Sequence, residues 1–88
     1  ITPVMFFKTH WEPLGKALTS EKCGDFMFMA SYEMKDKTVI HTYKHYANRA
    51  YINLSDDGRA WKYCGDGYME IARETAIKDA LLWVEEFA

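Results

Sequence analysis

The apolar residues follow two different periods along the chain, and the change between these periods constrains the fold most. In residues 26–64, apolar and aromatic side chains alternate with polar ones in short segments, which is the period of a β-strand. In residues 68–87 they recur every three or four positions, which is the period of an α-helix. The sequence therefore predicts an antiparallel sheet followed by an amphipathic helix of about five turns.

Four segments carry the strand pattern: residues 26–34, 38–46, 50–54 and 60–64. The pattern of the first segment predicts one buried face formed by Phe26, Phe28, Ala30, Tyr32 and Met34. The polar run Lys35-Asp36-Lys37 and the dipeptide Asp57-Gly58 separate the segments as turns. We expect three or four antiparallel strands.

The first quarter of the chain has the weakest pattern. Residues 4–7 fit either a short strand or a buried helical turn. Pro13 suits the first turn of a short helix that continues to Leu18. With 88 residues the chain has the size of one domain. We predict a single two-layer α+β domain over residues 1–88, in which the long C-terminal helix packs on one sheet face and a short helix precedes the sheet.

Composition excludes several classes of protein. An apolar fraction of 49% is too high for a disordered chain, and a net charge of −2 gives no general attraction to nucleic acid or anionic lipid. The longest apolar runs, such as residues 26–30, are far shorter than the ~20 residues that span a bilayer. Cys23 and Cys64 are too few for a disulfide scaffold. With no secretory-leader pattern in the first residues, we expect an acidic, soluble, cytoplasmic protein without a membrane partner.

The segment Ser55–Gly67 contains three aspartates and three glycines, but it does not match a cation or phosphate loop. Asp56 and Asp57 are adjacent, whereas calcium loops alternate their ligands, and Asp66 would repel a phosphate. We interpret Asp66 as the N-cap of the long helix or its neighbour. His41 and His45 fall on a predicted strand, roughly 13 Å apart, too far to share an ion. The sequence predicts no metal and no cofactor.

Catalytic motifs are absent from the sequence. No serine has a Gly-x-Ser-x-Gly setting, and neither cysteine has a histidine beside it in the chain. A spatial pairing of Cys64 with a histidine is an alternative that the sequence leaves open. We therefore expect a protein that is not an enzyme and has no catalytic residues.

Aromatic and basic side chains alternate near the middle of the chain, and we predict that they form a binding surface. The candidate residues are Tyr43, Lys44, His45, Tyr46, Arg49, Tyr51, Trp61 and Tyr63, with the last two on one strand face. Such residues dominate protein interfaces and also stack on nucleic-acid bases. Ordinary cross-strand packing is the third interpretation. We favour a small protein-binding module, similar to inhibitors or adaptors encoded by phages, and keep nucleic-acid binding and helix-mediated homodimerisation as alternatives.

Residues 64–82 resemble the last segment of double-stranded RNA-binding domains. The shared features are two glycines before a helix and small residues at every fourth helical position: Gly65, Gly67, Ala72, Ala76 and Ala80. The resemblance implies an α-β-β-β-α order and a nucleic-acid partner. The positions that hold phosphate-binding lysines in that family are occupied here by Tyr68, Met69 and Glu70.

Overall fold

The computed structural model describes the backbone of residues 2–4, 10–65 and 67–87, and it shows an α+β domain built on one antiparallel sheet. The strands follow each other across the sheet in chain order, so that each one pairs with the next. The elements are β1 (Thr2–Val4), α1 (Glu12–Ala17), α2 (Ser20–Cys23), β2 (Phe26–Glu33), β3 (Val39–His45), β4 (Tyr51–Ser55), β5 (Ala60–Tyr63), β6 (Tyr68–Ile71) and α3 (Arg73–Phe87).

The sheet is larger than the three or four strands that the sequence predicts. The four predicted strands correspond to β2, β3, β4 and β5. β6 adds a fifth strand of four residues, and the three-residue β1 pairs with β2 at the sheet edge. Of the segment 4–7, Val4 ends β1 and the other residues lie outside the described ones. The predicted short helix is confirmed as α1, with Pro13 in its first turn.

The helix prediction is wrong for residues 68–71, which form β6 instead of the first helical turn. Gly65 adopts a φ of 88°, a conformation that side-chain-bearing residues rarely take, and the Cys64 amide donates to the Gly67 carbonyl over 2.8 Å. This tight reversal brings Tyr68 opposite Tyr63, and strand pairing then overrides the helical spacing. α3 begins at Arg73, so Asp66, which lies outside the described residues, precedes a strand and not the helix. The α-β-β-β-α order implied by the RNA-binding resemblance is likewise wrong.

A β-bulge in β2 corrects the predicted face of that strand. The register with β3 shifts between Phe28 and Ala30, so Met29 is an extra residue. The Thr42 hydroxyl fills the bulge by accepting from the Ala30 amide and donating to the Ala30 carbonyl. Phe28 therefore faces the core, whereas Tyr32 lies on the opposite face of the sheet.

One face of the sheet forms the core with α1 and α3. The buried apolar cluster consists of Leu14, Phe26, Tyr43, Ile52, Leu54, Ala60, Ala76 and Ala80. The small alanines let the backbone of α3 approach β4 and β5 closely. The side-chain amide of Asn48 also donates to the Ala80 carbonyl over 2.8 Å and fixes the β3–β4 turn to the helix. The predicted packing of the C-terminal helix on the sheet is confirmed.

The other face of the sheet is strongly concave. The rings of Tyr32 on β2 and Tyr68 on β6 lie only 6.3 Å apart, although three strands separate β2 from β6. In a flat sheet these strands would be about 19 Å apart, because neighbouring strands are spaced by about 4.8 Å. This curvature buries residues on the second face as well, including Ile40, Thr42 and Asn53.

Among the described residues, no helix has the length and apolar character needed to cross a membrane.

Candidate functional site

The concave face forms an open cavity of about 770 Å³, and its lining includes several aromatic rings. We call this feature the aromatic cavity and define it by Tyr32, Tyr51, Asn53, Trp61, Tyr63 and Tyr68. Its volume lies within the range of ligand-binding pockets in proteins. Five of these six residues carry rings, so the cavity wall combines apolar area with polar hydroxyl and indole groups.

The aromatic cavity exists because β4 and β5 separate. Their register contains only two pairs, Asn53 with Trp61 and Leu54 with Ala60. Continuation of the ladder would pair Tyr51 with Tyr63, but the strands have diverged at that point. The lining also includes Ala76 and Asp79 of α3, so the cavity reaches through the gap between the strands to the helix.

Contacts between the rings define the shape of the cavity. Tyr68 lies between Tyr63, at 5.3 Å between ring centroids, and Tyr32, at 6.3 Å. Burial, with a smaller contribution from the neighbouring tyrosines, raises the pKa of Tyr68, so its hydroxyl stays protonated and available as a donor. The ammonium group of Lys44 lies 5.7 Å from the Tyr51 ring in a cation–π contact.

Two buried polar atoms belong to residues of the cavity wall. The Asn53 side-chain amide donates to the Trp61 carbonyl over 3.1 Å, which leaves Oδ1 of Asn53 as an acceptor. Neither this Oδ1 nor the indole Nε1 of Trp61 has a hydrogen-bond partner among the described residues. Both residues are more than nine-tenths buried. An unpaired buried polar group costs about 1–3 kcal/mol, so this acceptor and this donor favour a ligand that pairs with them.

The opening of the aromatic cavity is formed by two tyrosines. Tyr51 is 49% exposed and Tyr63 is 59% exposed, both large values for aromatic residues. The Tyr63 hydroxyl donates to the Gly65 carbonyl over 2.7 Å, so the ring is held in place. Lys62 is exposed beside it on β5. A partner would therefore meet a rigid aromatic rim with basic groups close by.

The structure divides the predicted binding residues into three groups. Lys44, Tyr51, Trp61 and Tyr63 lie together at the aromatic cavity or in contact with its wall. The shared strand face predicted for Trp61 and Tyr63 is confirmed, since both line the cavity.

Tyr43 and His45 form the second group, and both are buried on the core face. His45 Nδ1 accepts from the Ala47 amide over 3.0 Å, so it stabilises the β3–β4 turn. The prediction of one continuous surface over residues 43–51 is corrected, because alternate residues of β3 point to opposite faces of the sheet.

Tyr46 and Arg49 form the third group, exposed in the β3–β4 turn. Arg49 has a φ of 61°, and its amide donates to the His45 carbonyl over 3.0 Å. Neither side chain lines the aromatic cavity.

Sequence reasoning missed three residues of the cavity wall: Tyr32, Asn53 and Tyr68. A strict period of two places Tyr32 on the wrong face, because alternation alone does not reveal a bulge. The helical spacing of residues 68–87 places Tyr68 in the helix. A glycine pair followed by Tyr68 could have indicated a second hairpin, because tyrosine favours strands.

A second cluster of functional groups lies at the other end of β3. The carboxylate of Asp56 contacts Nε2 of His10 at 2.8 Å and Nε2 of His41 at 3.3 Å. Burial lowers the pKa of His41. Burial raises the pKa of Asp56, but the hydrogen bonds from the two histidines outweigh it, and the net pKa is lowered. The Ser31 hydroxyl lies 2.7 Å from His41 Nδ1.

The order Ser31, His41, Asp56 has the composition of a hydrolase triad, but its geometry does not fit nucleophilic catalysis. Ser31 is only 2% exposed and faces the core, so its hydroxyl cannot reach a substrate. Cys64, the other candidate nucleophile, is exposed, and its Sγ contacts the Lys62 carbonyl at 3.6 Å.

Comparison with known proteins gives no match: no protein-family model, no curated protein and no solved structure is significantly similar to this chain. We therefore infer function from the geometry of the aromatic cavity and of the histidine cluster, which consists of His10, His41 and Asp56.

Proposed function

We propose that this chain is a small, non-enzymatic binding module that captures a segment of another protein through the aromatic cavity. The supporting observation is the combination of half-exposed tyrosines at the opening with an unpaired donor and acceptor in the wall. Tyrosine and tryptophan concentrate binding energy at protein interfaces because their rings are large and rigid. In this proposal the sequence-predicted residues Tyr51, Trp61 and Tyr63 act together with Tyr32 and Tyr68.

The polar atoms of the wall suggest the chemistry of the bound segment. A peptide group, or the side chain of Asn or Gln, offers one N–H and one carbonyl oxygen. The N–H would donate to Asn53 Oδ1, and the oxygen would accept from Trp61 Nε1. A partner segment that inserts such a group between the rings satisfies both buried atoms and covers apolar area at the same time.

An inhibitor or adaptor role in the cytoplasm is compatible with such a module. The module acts by occupying a surface of its target, so it needs no catalytic group of its own. We keep homodimerisation through α3 as a lesser proposal; Leu82 and Phe87, on which it depends, have side chains outside those described.

Nucleic-acid binding is the second candidate function. It is favoured by Lys44, which lies over the Tyr51 ring, and by Lys62, which is exposed between Trp61 and Tyr63 on β5. Lysines next to stacking rings are typical of single-strand binding surfaces. The negative charge of Asp79 in the cavity lining would repel a phosphate backbone, so we rank this function lower. It requires binding to single-stranded oligonucleotides that weakens steeply with salt, and no binding at low ionic strength would exclude it.

Selection from a displayed library of random peptides tests the protein-binding proposal. We expect the intact chain to enrich related peptides, and these peptides to lose binding to a double variant with Tyr51→Ala and Tyr63→Ala. Tyr46→Ala is the matched control, since Tyr46 is 61% exposed but does not line the aromatic cavity. Circular dichroism checks that both variants fold. Enriched peptides that bind the double variant as well as the wild type would contradict the proposed surface.

A further inference from the structure

We propose that His10, His41 and Asp56 form a binding site for one divalent transition-metal ion, best suited to zinc. This site is separate from the aromatic cavity, and the inference does not depend on the proposed binding function. The three side chains come from different parts of the fold: the segment before α1, the strand β3 and the β4–β5 turn. Among the described residues, they form the one group of three such side chains whose donor atoms lie within 4.8 Å of one another.

The distances between donor atoms match those around a single ion. Zinc binds histidine nitrogen and carboxylate oxygen at about 2.0–2.2 Å, so two donors in a tetrahedral site lie about 3.3 Å apart. The carboxylate oxygen of Asp56 lies 2.8 Å from His10 Nε2 and 3.3 Å from His41 Nε2. The two imidazole rings are also parallel neighbours, with centroids 4.1 Å apart. All three donor atoms lie within 4.8 Å of one another, so one ion can bind between them once the two rings turn toward it.

The ring of His41 is already oriented for metal binding. Its Nδ1 lies 2.7 Å from the Ser31 hydroxyl, which can donate or accept a hydrogen bond. When Nε2 carries the proton and points to Asp56, Ser31 donates to Nδ1. When a metal occupies Nε2, the neutral ring carries its proton on Nδ1, and this N–H donates a hydrogen bond to the Ser31 hydroxyl oxygen. Metal-bound histidines usually donate their second N–H in this way, which fixes the ring.

The position of His10 is fixed by a contact of its backbone. The Tyr43 hydroxyl donates to the His10 carbonyl over 2.6 Å and holds this residue beside the sheet. His10 would therefore not have to be ordered from a flexible state when an ion binds, which reduces the entropic cost of binding.

The donor set and its exposure favour a zinc site that stabilises the fold. Two imidazoles and one carboxylate are a common zinc ligand set, whereas calcium and magnesium prefer oxygen donors. The Asp56 side chain is 64% exposed and His41 is buried, so solvent reaches the site from the carboxylate side and can supply a fourth ligand. An ion held there would join the start of α1 to β3 and to the β4–β5 turn.

Titration of the full chain with zinc chloride near neutral pH, followed by calorimetry and thermal melting, tests this site. We expect one zinc ion per chain and a melting temperature that rises with zinc and falls again on addition of EDTA. Asp56→Asn keeps the side-chain shape but weakens the donor and should lower the affinity by more than about tenfold. Asp36→Asn is the matched control, because Asp36 is also an exposed turn aspartate, bonded to the Thr38 amide.

Cobalt(II) provides a second measurement that does not depend on stability. Bound to the wild type, it should give the visible absorption of a low-symmetry site with nitrogen and oxygen ligands, and His10→Ala should abolish that absorption. Circular dichroism of the metal-free variants checks their fold. The proposal is overturned if zinc leaves the melting temperature unchanged, or if Asp56→Asn and Asp36→Asn bind zinc as the wild type does.

Discussion

The hydroxyl of Tyr43 donates a 2.6 Å hydrogen bond to the backbone carbonyl of His10, 33 positions earlier in the chain. The Tyr43 ring is fully buried and packs against Trp11 and Phe28. Burial raises the pKa of this hydroxyl far above its usual range, so it remains a donor at any physiological pH. One buried side chain thus connects the core to the histidine cluster.

Replacing Tyr43 with Phe keeps the ring and removes this donor. We expect the free energy of unfolding to fall by about 1–3 kcal/mol, because the His10 carbonyl loses its bond in a partly buried place. Urea denaturation measures the change. Zinc affinity should fall as well, since His10 loses its anchor. Tyr46→Phe is the control, because Tyr46 is exposed. A Tyr43→Phe protein as stable as the wild type would show that this bond does not support the fold.

Two glycines with the same free space around them should respond oppositely to substitution by alanine. A Cβ at Gly65 or at Gly15 meets no atom within 4 Å, but Gly65 has a φ of 88° and Gly15 lies inside α1. Gly65→Ala should destabilise the protein by about 1–2 kcal/mol because it forces alanine into the left-handed region. Gly15→Ala should stabilise it by up to about 1 kcal/mol through helix propensity. Thermal melting compares them, and equal shifts would contradict the hairpin at Gly65.

The two cysteines should differ in their reaction with a thiol reagent. Cys64 is exposed, whereas Cys23 is partly buried with its Sγ near the Leu14 carbonyl, at 3.5 Å. Burial raises the pKa of Cys23, so less thiolate forms at a given pH and reaction is slower. Mass spectrometry after brief alkylation with iodoacetamide should find label on Cys64 first. Preferential labelling of Cys23 would show that the α1–α2 segment does not bury this thiol.

The raised pKa of Cys23 also predicts a change of stability at alkaline pH. The unfolded thiol loses its proton at a lower pH than the folded one. The contribution of Cys23 to stability is therefore complete below the pKa of the unfolded thiol. It is lost as the pH rises through the higher pKa of the folded thiol. A Cys23→Ala variant, compared with the wild type by urea denaturation, should show a shallower decline of stability at high pH. An identical decline in both proteins would show that groups other than Cys23 cause the loss of stability at high pH.

The sequence predicts the fold where local pattern and pairing agree. The four central strands and the short helix were predictable because their alternation and turn residues lie within a few positions of each other. β6 was not, because Met69 and Ala72 fit the helical spacing of α3 and only the pairing with β5 decides otherwise. The bulge at Met29 was also hidden, since it depends on the Thr42 hydroxyl from the neighbouring strand.

The candidate sites were predictable only in part, for a related reason. Trp61 and Tyr63 share a face by alternation alone, so the sequence indicates them. Tyr32 reaches the same cavity only because the sheet curls, which is a property of the whole sheet. His10 and Asp56 are 46 positions apart in the chain, and no local spacing indicates their contact.

In the proposed function, the aromatic cavity is the surface by which this chain holds another protein. Site-specific photo-crosslinking in the native host examines this role, with a benzophenone amino acid placed at Tyr63 in one variant and at Trp11 in another. Trp11 is the matched control, since it is an exposed aromatic residue that packs against the core face. We predict that Tyr63 crosslinks to one defined protein and that Trp11 does not. Crosslinking of that protein from Trp11 alone, or no crosslink from Tyr63, would show that the aromatic cavity is not the binding surface.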